Sequence, residues 1–293
     1  MKKIFSMVLS VFLLGLLLVQ SVFAFSDVNG NERTAVDALN KLGIVHGISA
    51  DEFAPQQNLT YAQAVVMLAR AFGWSAAGSQ PDASTVFAHV QDSDWYANSF
   101  MEAHQHGLNL QADTVPGDAV SRERFADLLA QAIDTKGTFV VNKMAVRLAD
   151  EDQINSNYAG NVHRLIAYNN VVELGADRMF HPKADITRGD AAVWVYNALQ
   201  FIDQRLALQS DIKIDVVAVT PQVNEIILSQ PQHADQAYSI QIVSIDFQQQ
   251  NHTALIHYKL MPPVPDAAPG KMTVVPKAVT YIDSAYKPIA QAQ

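Results

Sequence analysis

The sequence predicts an α+β multidomain protein, in which an N-terminal all-α bundle of three helical repeats is followed by a small all-β domain. Before Gln209, apolar residues recur at helical spacing, and one arrangement of helix, turn and capped second helix occurs three times. After Gln209, apolar and polar residues alternate, as in strands with one buried face. The predicted boundaries are 1–24 for a leader, 25–79, 80–137 and 138–209 for the repeats, and 210–293 for the β domain.

The first residues predict export. Lys2 and Lys3 precede an apolar run from Ile4 to Val19, and a small-residue cleavage pattern ends at Ala24. We therefore expect a signal peptide that is removed after Ala24 from a secreted chain. The alternative is a retained membrane anchor, although the apolar run is near the lower length limit for a spanning helix.

The composition restricts the possible ligands. The 293-residue chain has a formal net charge of −9, and loss of the leader would also remove two lysines. Because the long-range field of such a chain repels phosphate, the sequence argues against general binding of nucleic acid or of anionic membrane. An anionic ligand must then be held by local cationic groups. The absence of cysteine excludes disulfides, thiolate metal sites and cysteine nucleophiles.

Repeat one starts at Phe25 with a helix whose apolar residues lie on one face. Gly43 is expected to end this helix, since glycine adopts the left-handed cap conformation readily. A loop follows, with Phe53 as its expected buried side chain. Thr60 then caps the second helix by accepting a hydrogen bond from a free backbone N–H group. The apolar positions of the two helices are Ala35, Val36, Leu39 and Leu42, then Ala64, Met67, Leu68 and Ala71.

Repeat three has the same layout. Asn170 precedes Thr187 by as many residues as Gly43 precedes Thr60. Asparagine tolerates the left-handed region better than most other residues, so it is a sensible replacement for this glycine. Phe180 takes the place of the buried phenylalanine of repeat one.

Repeat two runs from Phe87 through Gly107, and Ser121 caps its second helix. Its turn is shorter and has no phenylalanine at the corresponding place, where Val115-Pro116 is the nearest candidate. A helix pair of this size cannot close a core alone, so three repeats should pack side by side with binding grooves between them. The alternative is a plain helical bundle with accidental internal similarity.

The repeat region resembles three tandem S-layer homology (SLH) domains. The resemblance is carried by Phe25–Val28 and Gly43–Gly47 in repeat one, and by Phe180–Pro182 and Ile186–Arg188 in repeat three. It implies a pseudo-threefold bundle that anchors proteins non-covalently to secondary cell-wall polysaccharide, often pyruvylated. It also implies a location at the cell wall or S-layer. An exported chain without cysteine is, in addition, typical of Gram-positive cell surfaces.

The same resemblance implies a set of glycan-binding residues. A ketal-linked pyruvate exposes a carboxylate, and a guanidinium grips a carboxylate with two parallel charge-assisted hydrogen bonds. An aromatic ring can cover the apolar face of a sugar. By motif position, the set is Arg122, Arg188, Thr187, Asp190, Trp95 and Tyr158.

Each of these arginines and aromatic residues has a structural alternative. Near a helix N-terminus, Arg122 and Arg188 would pair with a neighbouring acid on a solvated face, and such pairs contribute little stability. Trp95 and Tyr158 would be packing residues in the core or between repeats.

The repeats also depart from the family pattern. Repeat one has Tyr61 where the motif arginine belongs and Asn31 at the aromatic position. Repeat two has Arg124 where the motif acid belongs. We therefore expect at most two competent grooves.

The tail is predicted to form strands, with a hairpin turn at Gln248–His252 and a proline-rich loop at 262–270. Residues 211–290 resemble the C-terminal domain of PrcB-type protease-complex accessory subunits. The resemblance implies an interaction module whose partner is an extracellular protease or another surface protein. The alternative is a generic β module. The alternating segments are Ile212–Val216, Tyr238–Ile245, Ala254–Leu260 and Met272–Ile282.

No common catalytic or nucleotide-binding motif occurs, so we expect no enzyme, no cofactor and no metal site. The sequence thus predicts an exported surface protein that is anchored to cell-wall polysaccharide and presents a β interaction domain. The second hypothesis is an accessory subunit or inhibitor of an extracellular protease, with degenerate repeats as scaffold. A hydrolase joined to SLH anchors is disfavoured, because the tail is short and lacks an acid-base constellation.

Overall fold

The computed structural model of the protein describes residues 25–75, 78, 81–139, 147–168, 171–210, 212–230, 239–261 and 275–292. The predicted leader, Asn170 and the proline-rich loop lie outside these ranges. The described chain has an α+β architecture, with helices before Ser210 and strands after it. The helical region and the strand region each have their own hydrophobic core.

The helical region contains seven α-helices within the described residues, together with a 3-10 turn at Glu151–Gln153. The helices are α1 (Gly30–Lys41), α2 (Tyr61–Ala71), α3 (Ala83–Val86), α4 (Ala97–Gln105), α5 (Arg122–Asp134), α6 (Ser156–Ala167) and α7 (Arg188–Ser210).

The helix ends follow the local chemistry of the sequence. Gly43 has φ of 71° just after α1, the left-handed conformation expected of a glycine cap. Thr60 and Gln63 form a reciprocal capping box at the start of α2. The hydroxyl groups of Ser121 and Thr187 accept hydrogen bonds from backbone N–H groups in the first turns of α5 and α7.

The second helix of each predicted repeat packs against the first main helix of the next. Helix α2 contacts α4, α5 contacts α6, and α7 returns to contact α1. The three pairings therefore close a ring of helices around a shared core.

A second ring, made of backbone hydrogen bonds, lies just before α2, α5 and α7. The N–H of Leu59 donates to the carbonyl of Ile186 (2.9 Å), and the N–H of Ile186 donates to that of Val120 (2.8 Å). The N–H of Val120 then donates back to the carbonyl of Leu59 (2.9 Å). All three side chains are fully buried, so these extended segments meet at the centre of the helical region.

Phe53 and Phe180 are both fully buried, as the sequence predicts. In repeat two the expectation for Val115-Pro116 is only half right. The carbonyl of Pro116 accepts from the start of α2, as those of Pro55 and Pro182 do from α7 and α5. Val115, however, is exposed, and the buried residue is Thr114, because the place of each phenylalanine is two residues before the proline.

The tail contains six strands within the described residues, arranged in two sheets. In the first sheet, β1 (Lys213–Thr220), β2 (Val223–Ser229) and β5 (Lys277–Asp283) are antiparallel, with β2 in the centre. In the second, β4 (Thr253–Met261) pairs antiparallel with β3 (Ser239–Gln248) and parallel with β6 (Lys287–Ala292). The sequence pattern predicts β1, β3, β4, β5 and the β3–β4 hairpin but misses β2 and β6.

Alternation along the strands produces the core of the tail. Ile226 and Leu228 of β2 and Ile256 of β4 are fully buried. The opposite face of the first sheet carries Val217, Val279 and Tyr281, all of them largely exposed.

Candidate functional site

The candidate site lies where the second helix of each repeat begins. Tyr61, Arg122 and Arg188 occupy equivalent first positions of α2, α5 and α7. Each backbone N–H donates to a loop carbonyl of the next repeat around the ring, at 2.8–3.0 Å. The three side chains are therefore directed towards the boundary between two repeats, where grooves were expected.

Arg188 lies at the boundary between repeats three and one. Its Nε donates to the carbonyl of Phe53 (3.1 Å), and one terminal nitrogen donates to the carbonyl of His46 (2.9 Å). The guanidinium carbon is 4.6 Å from the centre of the Phe53 ring, a cation–π distance. The residue is only 8% exposed, so backbone carbonyls and an aromatic face form its immediate surroundings.

Arg188 has no carboxylate partner within 4 Å among the described residues. Burial lowers the pKa of Arg188, and the negative charge of Asp27 only partly offsets this effect. Guanidinium stays protonated in proteins despite such a shift. A buried positive charge held by neutral carbonyls has unused capacity for an anion.

Arg122 lies at the boundary between repeats two and three, and its surroundings differ. Its Nε donates to the carbonyl of Phe180 (3.0 Å), the equivalent of the Arg188–Phe53 bond. One terminal nitrogen forms an ion pair with Asp190. The guanidinium carbon also lies 4.8 Å from the centre of the Trp194 ring.

Thr187 and Asp190, the two other predicted residues of repeat three, are positioned by the start of α7. The hydroxyl of Thr187 accepts from the N–H of Asp190 (3.1 Å), so Thr187 is used as a helix cap. The carboxylate of Asp190 points across to Arg122, and its side chain is 44% exposed.

At the boundary between repeats one and two, Tyr61 replaces the motif arginine and interacts with Arg124. Burial raises the pKa of the Tyr61 hydroxyl, and the positive charge of Arg124 and the hydrogen bond with it only partly offset this effect. Arg124 is buried, and it donates to Asp127 (2.7 Å) and to the carbonyl of Asn109. The guanidinium at the motif-acid position therefore belongs to a packed ion pair.

The two predicted aromatic residues are not brought together with the motif arginines. Tyr158 is half-buried, and the guanidinium carbon of Arg124 lies 5.4 Å from the centre of its ring. Trp95 precedes α4, is 66% exposed and contacts Tyr96 edge to face. The packing alternative is thus wrong for Trp95, whose ring is open to solvent.

Trp194 and Glu32 also belong to this region but were not singled out from the sequence. Trp194 lies one helical turn after Asp190, a spacing that places both on one side of α7. Burial, followed by the negative charge of Asp190, raises the pKa of Glu32. The carboxylates of Glu32 and Asp190 are therefore close enough for their charges to interact.

Within the described ranges, no three His, Asp or Glu side chains are grouped so that they could hold a metal ion. Over the same residues, none of the helices has both the length and the apolar character needed to cross a membrane.

Comparison with known protein families finds matches in two regions of the chain. The S-layer homology domain family matches residues 24–65 and 148–192, which lie in repeats one and three. The chain is 24% identical over 180 residues to an amylopullulanase of Thermoanaerobacterium thermosulfurigenes, and 23% identical over 180 residues to Exoglucanase XynX of Acetivibrio thermocellus.

Each match covers 60% of this chain, and the chain spans 9% and 16% of those two relatives. The similarity covers the repeat region and not the rest of the relatives. Two regions of the chain therefore match S-layer homology domains, a family of binding anchors, and its location is the cell wall or cell surface.

Proposed function

We propose that the three repeats form a pseudo-threefold anchor that binds anionic secondary cell-wall polysaccharide and fixes this exported chain to the wall. The observation that carries the proposal is the closed ring of backbone hydrogen bonds through Leu59, Val120 and Ile186. The ring supports the proposal that 80–137 is structurally equivalent to 25–79 and 138–209, although the sequence of 80–137 has diverged furthest from the family pattern.

The chemistry of the arginines supports an anionic glycan as ligand. Arg122 and Arg188 each have Nε bonded to a loop carbonyl of the next repeat, which fixes the plane of the guanidinium. A fixed planar fork loses little entropy when it binds a carboxylate with two parallel bonds. The pyruvate ketal of a wall polysaccharide presents such a carboxylate.

Co-sedimentation with purified cell-wall sacculi tests the proposal. The mature chain, residues 25–293, should pellet with sacculi that carry the polysaccharide and stay soluble after chemical removal of pyruvate. The double variant Arg122→Ala, Arg188→Ala should remain in the supernatant, whereas Arg70→Ala, a change at an exposed arginine of α2, should pellet normally. Equal pelleting of all three proteins would overturn arginine-mediated anchoring.

For the tail we propose a protein-binding role, in line with the PrcB-type resemblance. Val217, Val279 and Tyr281 form an exposed apolar surface on the outer face of the first sheet, and Tyr281 donates to Glu225 there (3.0 Å). Apolar side chains grouped on a sheet face often mark a protein contact. An accessory or inhibitory role towards an extracellular protease remains the second candidate because of this surface.

A binding assay on the immobilised mature chain tests this role. The chain should retain a protease that the same culture secretes, or lower the rate at which that protease cleaves its substrate. The variant Val279→Thr, Tyr281→Thr should lose that effect, and Val243→Thr, on the other sheet, should keep it. An unaltered protease rate with no retention by the wild-type chain would exclude the protease as partner.

A further inference from the structure

The two motif arginines differ in the charge of the groups that surround them. Both bond through Nε to the carbonyl of a buried phenylalanine in the next repeat. Arg122 is also neutralised by an ion pair with Asp190. Arg188 bonds only to carbonyl oxygens among the described residues, and no acid lies within 4 Å of it. For an incoming carboxylate, the two sites are therefore not equivalent.

We propose that the Arg188 groove is the working carboxylate site, and that Asp190 occupies the Arg122 groove as an internal substitute for the carboxylate of the ligand. This inference rests on the proposed function, because it takes the ligand to be an anionic glycan. A ligand that pairs with Arg122 must compete with Asp190 for the same guanidinium. Asp190 thus limits the affinity of that groove.

The third residue of each second helix explains the asymmetry. In α7 this residue is Asp190, which reaches back to Arg122 of the preceding repeat. In α2 it is Gln63, which is uncharged and whose side chain accepts from the N–H of Thr60 in the capping box (3.2 Å). Gln63 is therefore neutral and already engaged. Asp27, whose negative charge acts on Arg188, forms no ion pair with it and accepts instead from the N–H groups of Phe53 and Ala54.

Glu32 of α1 strengthens the pairing of Asp190 with Arg122. An ideal β-carbon on the neighbouring Gly189 would lie 2.8 Å from a carboxylate oxygen of Glu32, so α1 approaches the start of α7 closely. The charge of Glu32 repels Asp190 from that side and favours its contact with Arg122. The ion pair is also partly shielded, since the Arg122 side chain is only 16% exposed.

Titration calorimetry with a methyl hexoside that carries a 4,6-linked pyruvate ketal tests this assignment. The wild-type mature chain should bind one equivalent. Asp190→Asn keeps the size of the side chain but removes its charge. This variant should either bind a second equivalent or bind roughly tenfold more tightly, which is the effect of one charge-assisted hydrogen bond. Asp113→Asn, an equal charge change on an exposed loop, should leave binding unchanged.

Arg122→Gln separates the two grooves without touching Arg188. In the Asp190→Asn background it should abolish the gain, and a gain that persists there would contradict the part given to Arg122. Arg188→Lys, which keeps the charge but lacks the planar fork, should weaken the wild-type site in a protein whose circular dichroism is native.

The outcomes distinguish the inference from the function on which it rests. No gain in Asp190→Asn, or an equal loss in Arg122→Gln and Arg188→Lys, would overturn the role of Asp190 while the chain still bound the probe. Failure of both the wild type and Asp190→Asn to bind any pyruvylated probe would overturn the anionic-glycan function, and the inference with it.

Discussion

Two aspartates stabilise the loops whose carbonyl groups accept hydrogen bonds from the motif arginines. The carboxylate of Asp27 accepts from the N–H groups of Phe53 (2.9 Å) and Ala54 (2.7 Å). Asp150 does the same for Phe180 and His181. Ala54 and His181 have φ of 58° and 57°, a region that L residues adopt at a cost. The carboxylates therefore stabilise a strained backbone that presents its carbonyls to the arginines.

Asp150→Asn should lower the free energy of unfolding by about 2 kcal/mol near neutral pH, because a carboxylate that accepts from two backbone N–H groups becomes an amide. Asp152→Asn, at an exposed position nearby, should have little effect. Urea unfolding of both variants measures the difference, and equal midpoints would contradict the role given to Asp150.

The same variant tests the pH dependence of stability. Burial acts to raise the pKa of Asp150, but hydrogen bonds from the N–H groups of Phe180 and His181 outweigh it, so this pKa lies below the ordinary 3.8. A pKa that is lower in the folded state gives a contribution that is complete above 3.8 and is lost as pH falls through the folded value. In acid, Asp150→Asn should therefore lose less stability than the wild type, whereas parallel pH profiles would contradict this.

At the scale of the helix, local sequence determines the boundaries. The capping box of α2 uses Thr60 and Gln63, and the cap of α5 uses Ser121. Because these bonds involve residues three apart, they could be predicted without knowledge of the fold.

Thr60→Ala should lower the free energy of unfolding of the helical region by about 1 kcal/mol, the usual effect of losing a threonine cap. Thr60→Ser retains the hydroxyl and should restore most of that loss. Thermal unfolding followed by circular dichroism at the helical wavelength provides the measurement. A Thr60→Ser variant as unstable as Thr60→Ala would show that the methyl group, and not the cap, matters.

Elements and site residues that depend on distant segments of the chain were harder to predict. Strand β2 was missed because Asn224-Glu225 interrupts its apolar run, although Ile226 and Leu228 are central to the tail core. Motif position predicts that Arg122 lies at a groove. Its partner Asp190 is 68 residues away, and only the closed packing of α5, α6 and α7 brings the two together.

For the molecule as a whole, ring closure links the three extended segments before α2, α5 and α7, and we expect the helical region to unfold cooperatively. Each extended segment before α2, α5 and α7 donates to one neighbour and accepts from the other, so no segment is terminal. Loss of one repeat would leave unpaired N–H and C=O groups in the centre.

The amides of Leu59, Val120 and Ile186 should therefore exchange with solvent hydrogen only on global unfolding of the helical region. Their protection should agree within error, and it should exceed that of amides in the exposed loop after Pro116. Hydrogen exchange resolved by NMR gives this comparison. Rapid exchange at Val120 alone would show that 80–137 does not share the common core.

Helix α7 has a mechanical consequence. It runs unbroken from Arg188, in the proposed working groove, to Ser210, only a few residues before β1. A tensile load on the tail would thus reach the Arg188 groove directly along this helix. Under flow or shear at the wall, the packing of α7 against α1, α2 and α5 would resist this pull.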